Sequence, residues 1–179
     1  MAKVFLSTGS NEGNRLSSLV NVAKFIEKQI GRIIDLSPVV ESEPMGFIAE
    51  TNFYNQVLLI ETDLTPQQLI EALLVIELKL GRVRSGNGYS SRMIDIDILF
   101  YDENQVSDSN LVIPHPRLHE RNFVLQPLLA IAPDFIHPVL KKSISELYSL
   151  LDQGCQNKNV TTKNEFLECM NTDTKLNTD

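Results

Sequence analysis

Apolar positions change their period several times along this chain, and each change marks an element. Val4-Phe5-Leu6-Ser7-Thr8 is a short apolar run stopped by Gly9, which predicts a first strand. Gly9 to Asn14 is turn chemistry, with Asn14 suited to cap a helix. Leu16, Leu19, Val20, Ala23, Ile26 and Ile30 then recur at helical spacing as far as Gly31. Ile33 to Glu43 reads as a second strand interrupted by Pro38, which suits an edge or a bulge better than a central ladder position. In a third strand, Phe53 to Ile60, alternation puts Phe53, Asn55, Val57 and Leu59 on one face. Thr65-Pro66-Gln67-Gln68 has the form of a capping box, and Leu69, Leu73, Ile76 and Leu80 stripe the helix behind it up to Gly81. Arg92 to Tyr101 is β-branched and aromatic, a fourth strand with Ile94, Ile96, Ile98 and Phe100 on one face.

The order strand, helix, strand, strand, helix, strand predicts an α+β fold. Its core is ferredoxin-like, βαββαβ, with an antiparallel sheet and both helices packed on one face of it. Beyond it, Gln105-Val106 and Leu111-Val112-Ile113 can pair as short strands, and helices are expected at Val124 to Ile131 and about Ser143 to Leu151. From Gln153 the chain is rich in Asn, Thr and Lys, with one short helical segment at Glu165 to Met170. Residues 1–152 are therefore expected to be one domain and residues 153–179 a mostly disordered, dispensable tail.

Composition narrows the classes. A formal charge of -7 argues against general affinity for nucleic acid or anionic membrane. No apolar run approaches the roughly 20 residues that span a bilayer. The first strand begins at once, leaving no room for a signal peptide, and Cys155 and Cys169 suggest no disulfide framework. The expected setting is the cytoplasm.

Asp95 and Asp97 stand together on the second face of the fourth strand, about 6.6 Å apart along the backbone from two ~3.3 Å rises. Asp is depleted in strands and like charges on one face repel, so something should offset the cost. Charges that block edge pairing would account for them; a pair of carboxylates that holds a divalent metal for phosphoryl transfer accounts better for what precedes them. Residues 82–92 bring Arg82, Arg84 and Arg92 and no acid, in a loop loosened by Gly86 and Gly88. Arginine forks suit phosphate, and such a lid would position and neutralise a triphosphate. Glu77 lies close to its helix's apolar stripe, either as a satisfied structural carboxylate or facing the metal strand. Pro114-His115-Pro116 presents one histidine rigidly; His119 and His137 read as structural, and Arg15 and Arg32 as surface charges. Gly9 to Asn14 lacks the Gly-Lys-Ser/Thr of a P-loop, so a tight strand-to-helix turn is the better reading there.

Gly9-Ser10-Asn11, Phe53-Tyr54-Asn55, Glu77 with Gly81-Arg82-Val83-Arg84, Arg92-x-x-Asp95-x-Asp97 and Pro114-His115-Pro116 with Arg121-x-Phe123 occur in one order and spacing. Together they resemble the hydroxymethyldihydropterin pyrophosphokinases (HPPK) of folate biosynthesis, over roughly residues 3 to 152. The resemblance implies transfer of a pyrophosphoryl group from ATP to the hydroxymethyl group of a reduced pterin, with release of AMP. By similarity, Asp95 and Asp97 would hold two Mg²⁺ ions, with Arg82 and Arg92 catalytic beside them. Glu77, Arg84, Ile98, Leu111, His115 and Arg121 would serve ATP, with the adenine near Ile98 and Leu111. Phe53 and Phe123 would sandwich the pterin, Asn55 would bond its edge, and Ser42, Glu43 and Met45 would read it through backbone groups. Tyr89 would close over it, standing where some members have Trp; Phe53 stands where many have Tyr, and Ser42-Glu43 replaces a common Thr-Pro.

The implied partners are these small molecules alone, with neither nucleic acid nor membrane, and the implied state is a monomer. A palm-like nucleotidyltransferase would use the same Asp pair but release pyrophosphate, leaving Phe53, Asn55 and Phe123 without a role. A non-catalytic ferredoxin-like module ranks lower, because RNA binding would want a basic aromatic face in place of two carboxylates.

Overall fold

A computed structural model describes residues 1–45, 49–81, 93–151 and 157–172. The chain runs β1 (Ala2–Ser10), α1 (Arg15–Gln29), β2 (Arg32–Leu36), β3 (Val39–Ser42), β4 (Phe53–Thr62), α2 (Pro66–Lys79) and β5 (Asp95–Tyr101). There follow β6 (Val106–Ser107), β7 (Val112–Ile113), a 3-10 turn (Leu118–Glu120), α3 (Asn122–Ile131), α4 (Ile144–Leu150), β8 (Lys158–Thr161) and α5 (Lys163–Thr172). The fold is α+β, with an antiparallel main sheet in the order β5-β1-β4-β3-β8 and β2 also on β4.

Local chemistry sets the helix ends. The Asn14 side chain accepts from the Ser17 N–H at 3.1 Å, and Thr65 and Gln68 form the complete capping box, with Pro66 in the first turn. Gly31 ends α1 where a Cβ would lie 2.1 Å from the Glu61 carbonyl oxygen, so no larger residue fits between α1 and β4. Pro38 divides the expected second strand: β2 and β3 both pair with β4, and Ser37 bridges the break. Its hydroxyl accepts from the Val57 N–H at 3.0 Å, and its carbonyl accepts from the Gln56 amide at 2.9 Å.

The two faces bury separate cores. α1 and α2 cover one with Leu19, Ala23, Ile26, Leu69, Leu73 and Ile76 against Leu6, Leu58, Ile60 and Ile96. On the opposite face α3 and α4 bring Val124, Leu125, Leu128 and Leu147 against Phe5, Val57 and Leu99. Helices therefore flank the sheet on both sides. Phe100 departs from its expected face. The β1–β5 register shifts between Phe5 and Leu6, inserting Leu99 as an extra residue. Leu99 and Phe100 consequently both enter the α3 core, while Ile94, Ile96 and Ile98 stay in the α1 core.

Beyond residue 152 the described residues are not a disordered tail. β8 pairs with β3 and α5 packs on α1 with Phe166 fully buried. Composition missed this because the order comes from one buried aromatic and an available sheet edge, not from a dense apolar pattern.

Candidate active site

Register brings the predicted site residues together. Gly9 of β1 lies opposite Asn55 of β4 on one side and Asp95 of β5 on the other, so the three form one row across the sheet. Two strand spacings separate Asn55 from Asp95, about 10 Å. Ser7 is likewise opposite Val57 and Asp97. Val57 belongs to the α3 core, so this row of residues faces α3. At Gly9 a Cβ would stand 3.1 Å from Asn55 Oδ1 and 4.0 Å from the Phe53 ring, so glycine keeps the floor between the acid and the amide clear. Asn55 is buried, and its amide donates to Ser42 Oγ at 2.9 Å, with Ser42 paired to Phe53 across the strands.

Basic groups gather over Asp97. Arg121 Nη1 lies 3.7 Å and His115 Nε2 4.0 Å from Asp97 Oδ2. The His115 N–H donates to the Leu99 carbonyl at 3.0 Å, tying the Pro-flanked histidine to β5. Its Nδ1 accepts from the Arg117 N–H at 3.2 Å, and its Nε2 lies 3.4 Å from Arg121 Nη1, on the side of Asp97. Burial, and then the Arg121 guanidinium, push the imidazole down to about 4, so it is neutral at physiological pH. Arg121 in turn lies 5.8 Å from the centre of the Phe123 ring, which packs at the edge of the α3 core.

Glu77 sits beneath the acids. It is 2 % exposed, and its Oε1 accepts from the Ile96 N–H at 2.8 Å, between Asp95 and Asp97 in sequence. Both open readings meet here: a bonded structural carboxylate that holds the acid strand. Direct contact with ATP does not suit a carboxylate so buried. Ile98 and Leu111 come together, but inside the α1 core, on the face away from Asp97. Glu43 and Met45 are exposed beyond the end of β3. Arg82, Arg84, Tyr89 and Arg92 lie outside the described residues.

Sequence reasoning passed over Arg15. Its guanidinium is bonded to Glu41 Oε1 at 3.0 Å and to the Asn52 carbonyl at 2.7 Å, and it stacks 3.7 Å over the Tyr54 ring. Arg15 thus pins α1 to β3 and β4 beside the Asn55 row. Only the contact order of the fold could reveal that.

No group of three or more His, Cys, Asp or Glu side chains that could hold a metal occurs among the described residues. Asp95 and Asp97 nevertheless suit magnesium. They are half-buried acids on one face, and Mg²⁺ commonly takes one or two carboxylates and completes its shell with water and substrate phosphates.

The fold and site define an α+β protein whose sheet presents paired acids under a basic cluster, one glycine away from a buried amide. Residues 5–133 match the family described as 7,8-dihydro-6-hydroxymethylpterin-pyrophosphokinase (HPPK). The 2-amino-4-hydroxy-6-hydroxymethyldihydropteridine pyrophosphokinase of Porphyromonas gingivalis is 40% identical over 141 residues, 77% of this chain and 95% of that protein. Its namesake in Aquifex aeolicus is 38% identical over 146 residues, covering 82% and 90% respectively. The chain belongs to the HPPK family.

Longer relatives exist. The folic acid synthesis protein fol1 of Pneumocystis carinii is 40% identical over 145 residues, and the match spans only 20% of its length. Wild-type HPPK-DHPS of Plasmodium falciparum shares the fold, with a TM-score of 0.69 at 17% identity, covering 83% of this chain and 44% of that one.

Proposed function

We propose that the chain is an ATP-dependent diphosphotransferase that converts 6-hydroxymethyl-7,8-dihydropterin into its diphosphate and AMP, within folate biosynthesis. The single observation that carries this reading, beside family membership, is the Asn55–Gly9–Asp95 row. In this reading Asn55 reads the pterin and Asp95 holds metal from one face of the sheet, with no side chain at Gly9 between them.

In this reading the pterin lies between Phe53 and Phe123 with its polar edge on Asn55, because a flat heteroaromatic favours ring faces and needs one placed amide. Ser42 supports it by accepting from the Asn55 amide group, which fixes which way the side chain points. The hydroxymethyl oxygen attacks the β-phosphorus of ATP and gives up its proton to solvent, the bond from that phosphorus to the α,β-bridging oxygen breaks, and AMP leaves with that oxygen. Asp95 and Asp97 would hold two Mg²⁺ ions, which when bound supply charge neutralisation along the triphosphate. Arg121 offers N–H donors to phosphate oxygens at the Asp97 end with His115 beside it, while Arg82, Arg84 and Arg92 act from the preceding loop and Tyr89 closes over the pterin. Glu77 contributes to ATP binding indirectly, by holding β5. The adenine reaches Ile98 and Leu111 through their backbone edges.

We read the sheet as a ferredoxin-like core within a catalytic unit of residues 1–152, extended at one edge by β8. The strand order and the αβ connections support that. Among the described residues no helix is long and apolar enough to cross a membrane, and we place the protein as a cytoplasmic monomer acting on small molecules, without nucleic acid or membrane.

The test is product analysis with ATP, Mg²⁺ and hydroxymethyldihydropterin. Pterin-dependent AMP without ADP or free pyrophosphate is expected. Pyrophosphate release would indicate nucleotidyl transfer, and folded protein that makes no AMP would overturn the reading.

A further inference from the structure

Residues 157–172 reach both walls of the cleft in which the pterin is placed. On one wall, β8 completes the sheet beside β3, with Val39 opposite Thr161, Val40 opposite Asn159 and Glu41 opposite Lys158. β3 is in turn the strand that pairs Ser42 with Phe53 and Val40 with Asn55. On the other wall stands α3, whose first turn carries Phe123. Gln126, three residues along and so on nearly the same helix face, brackets the backbone of Asn157. Its Nε2 donates to the Asn157 carbonyl at 3.1 Å, and its Oε1 accepts from the Asn157 N–H at 3.2 Å.

The segment itself is anchored away from the cleft. Phe166 is fully buried, with Cys169 and Met170 packed on the α1 core, and Lys163 is ion-paired with Asp35 of β2. Thr162 and Glu165 close a reciprocal cap at the start of α5, with the Thr162 N–H donating to Glu165 Oε2 at 2.6 Å and the Glu165 N–H to Thr162 Oγ1 at 3.3 Å. A fixed strand therefore ties α3 to β3. Without it, β3 would be a four-residue edge strand already separated from β2 by Pro38, and α3 would lose two bonds one turn from Phe123.

We propose that residues 157–172 are a buttress that sets the spacing between Phe123 and the Phe53–Asn55 strand, and that Gln126 is a positioning residue for the pterin. The inference rests on the substrate assignment above and deepens it. The buttress touches the pterin end of the sheet and leaves Asp97, Arg121 and His115 to other contacts, so its loss should fall on one substrate only.

The experiment uses the full chain with Gln126→Met, which keeps the size of the side chain and removes both bonds. Pterin and a non-hydrolysable ATP analogue are titrated separately, and KM values for both substrates are measured beside kcat and the melting temperature. Two lost hydrogen bonds predict an increase of about 5- to 10-fold in the pterin Kd and KM, with the ATP values changed less than about twofold. Gln126→Glu still accepts from the Asn157 N–H and should fall between. Equal weakening of both substrates, or unchanged pterin affinity in either folded variant, would overturn the proposal and leave the segment a stabilising extension. Should Gln126→Met lose its melting transition, Gln126→Glu decides by the same ratio. Failure of the wild-type chain to bind pterin would sink the substrate assignment itself, which the variants' ratio cannot do.

Discussion

Asp97 has two basic neighbours on one oxygen, Arg121 at 3.7 Å and His115 at 4.0 Å, and both are more buried than the acid. A half-exposed carboxylate in that company can take a cation on its open side while the basic groups meet the anion that the cation brings. Asp97→Ala is expected to lower kcat by about 10³-fold, since a lost metal ligand removes several kcal/mol of charge stabilisation. Pterin affinity should hold within about twofold, because Asn55 lies on another strand. Steady-state rates with Mg²⁺ and pterin titration check this, and near-native turnover would remove Asp97 from the metal site. At this scale the sequence was informative wherever a residue type was costly for its place, as with two Asp in an apolar strand. Arg15 and Gln126 look like ordinary surface residues in sequence, since what distinguishes them is a partner 26 or 31 positions away.

Between elements, the contact of consequence is that of α2 with β5 through Glu77. A buried carboxylate on a backbone N–H fixes where the acid strand lies relative to its helix. Glu77→Ala is expected to cost about 1–3 kcal/mol of stability by leaving the Ile96 N–H unpaired, and to lower kcat as β5 shifts. Glu77→Gln should recover most of both, because an amide oxygen still accepts, and in Glu77→Gln ATP affinity should stay near wild type. Denaturant midpoints and ATP titration of the two variants are the check, and selective loss of ATP affinity in Glu77→Gln would return Glu77 to direct nucleotide contact. Helix ends were legible because caps act within four residues, as at Asn14 and Thr65. The face of Phe100 was not, because one extra residue, Leu99, reverses the alternation and local sequence does not mark it.

At the level of the whole molecule, burial leaves an acid-side weakness. His115 is pushed down to about 4 and His137 is also lowered, in both cases chiefly by desolvation. Each binds a proton more readily unfolded than folded. Their contribution to stability is therefore complete above about pH 6.5 and drains as pH falls below it, for His115 down to about 4. The melting temperature of the ligand-free protein is expected to decline through that window, with a smaller decline in His115→Gln. A profile as steep in the variant would assign the loss to other groups.

The sequence by itself determined most of the elements and the family resemblance. The capping box, turn residues and the two hydrophobic periods act over a few residues, and the paired acids, the Pro-flanked histidine and the arginine-rich loop stand in the sequence as the motifs that carry the resemblance before any fold is known. Only the tertiary structure decided the register that puts Gly9 between Asn55 and Asp95, the second core under α3 and α4, and the fate of residues 157–172. Those depend on which distant strand edge and which buried surface are free to accept a segment. A polar stretch with one Phe folds where such an edge and such a pocket exist, and its own composition cannot say that they do.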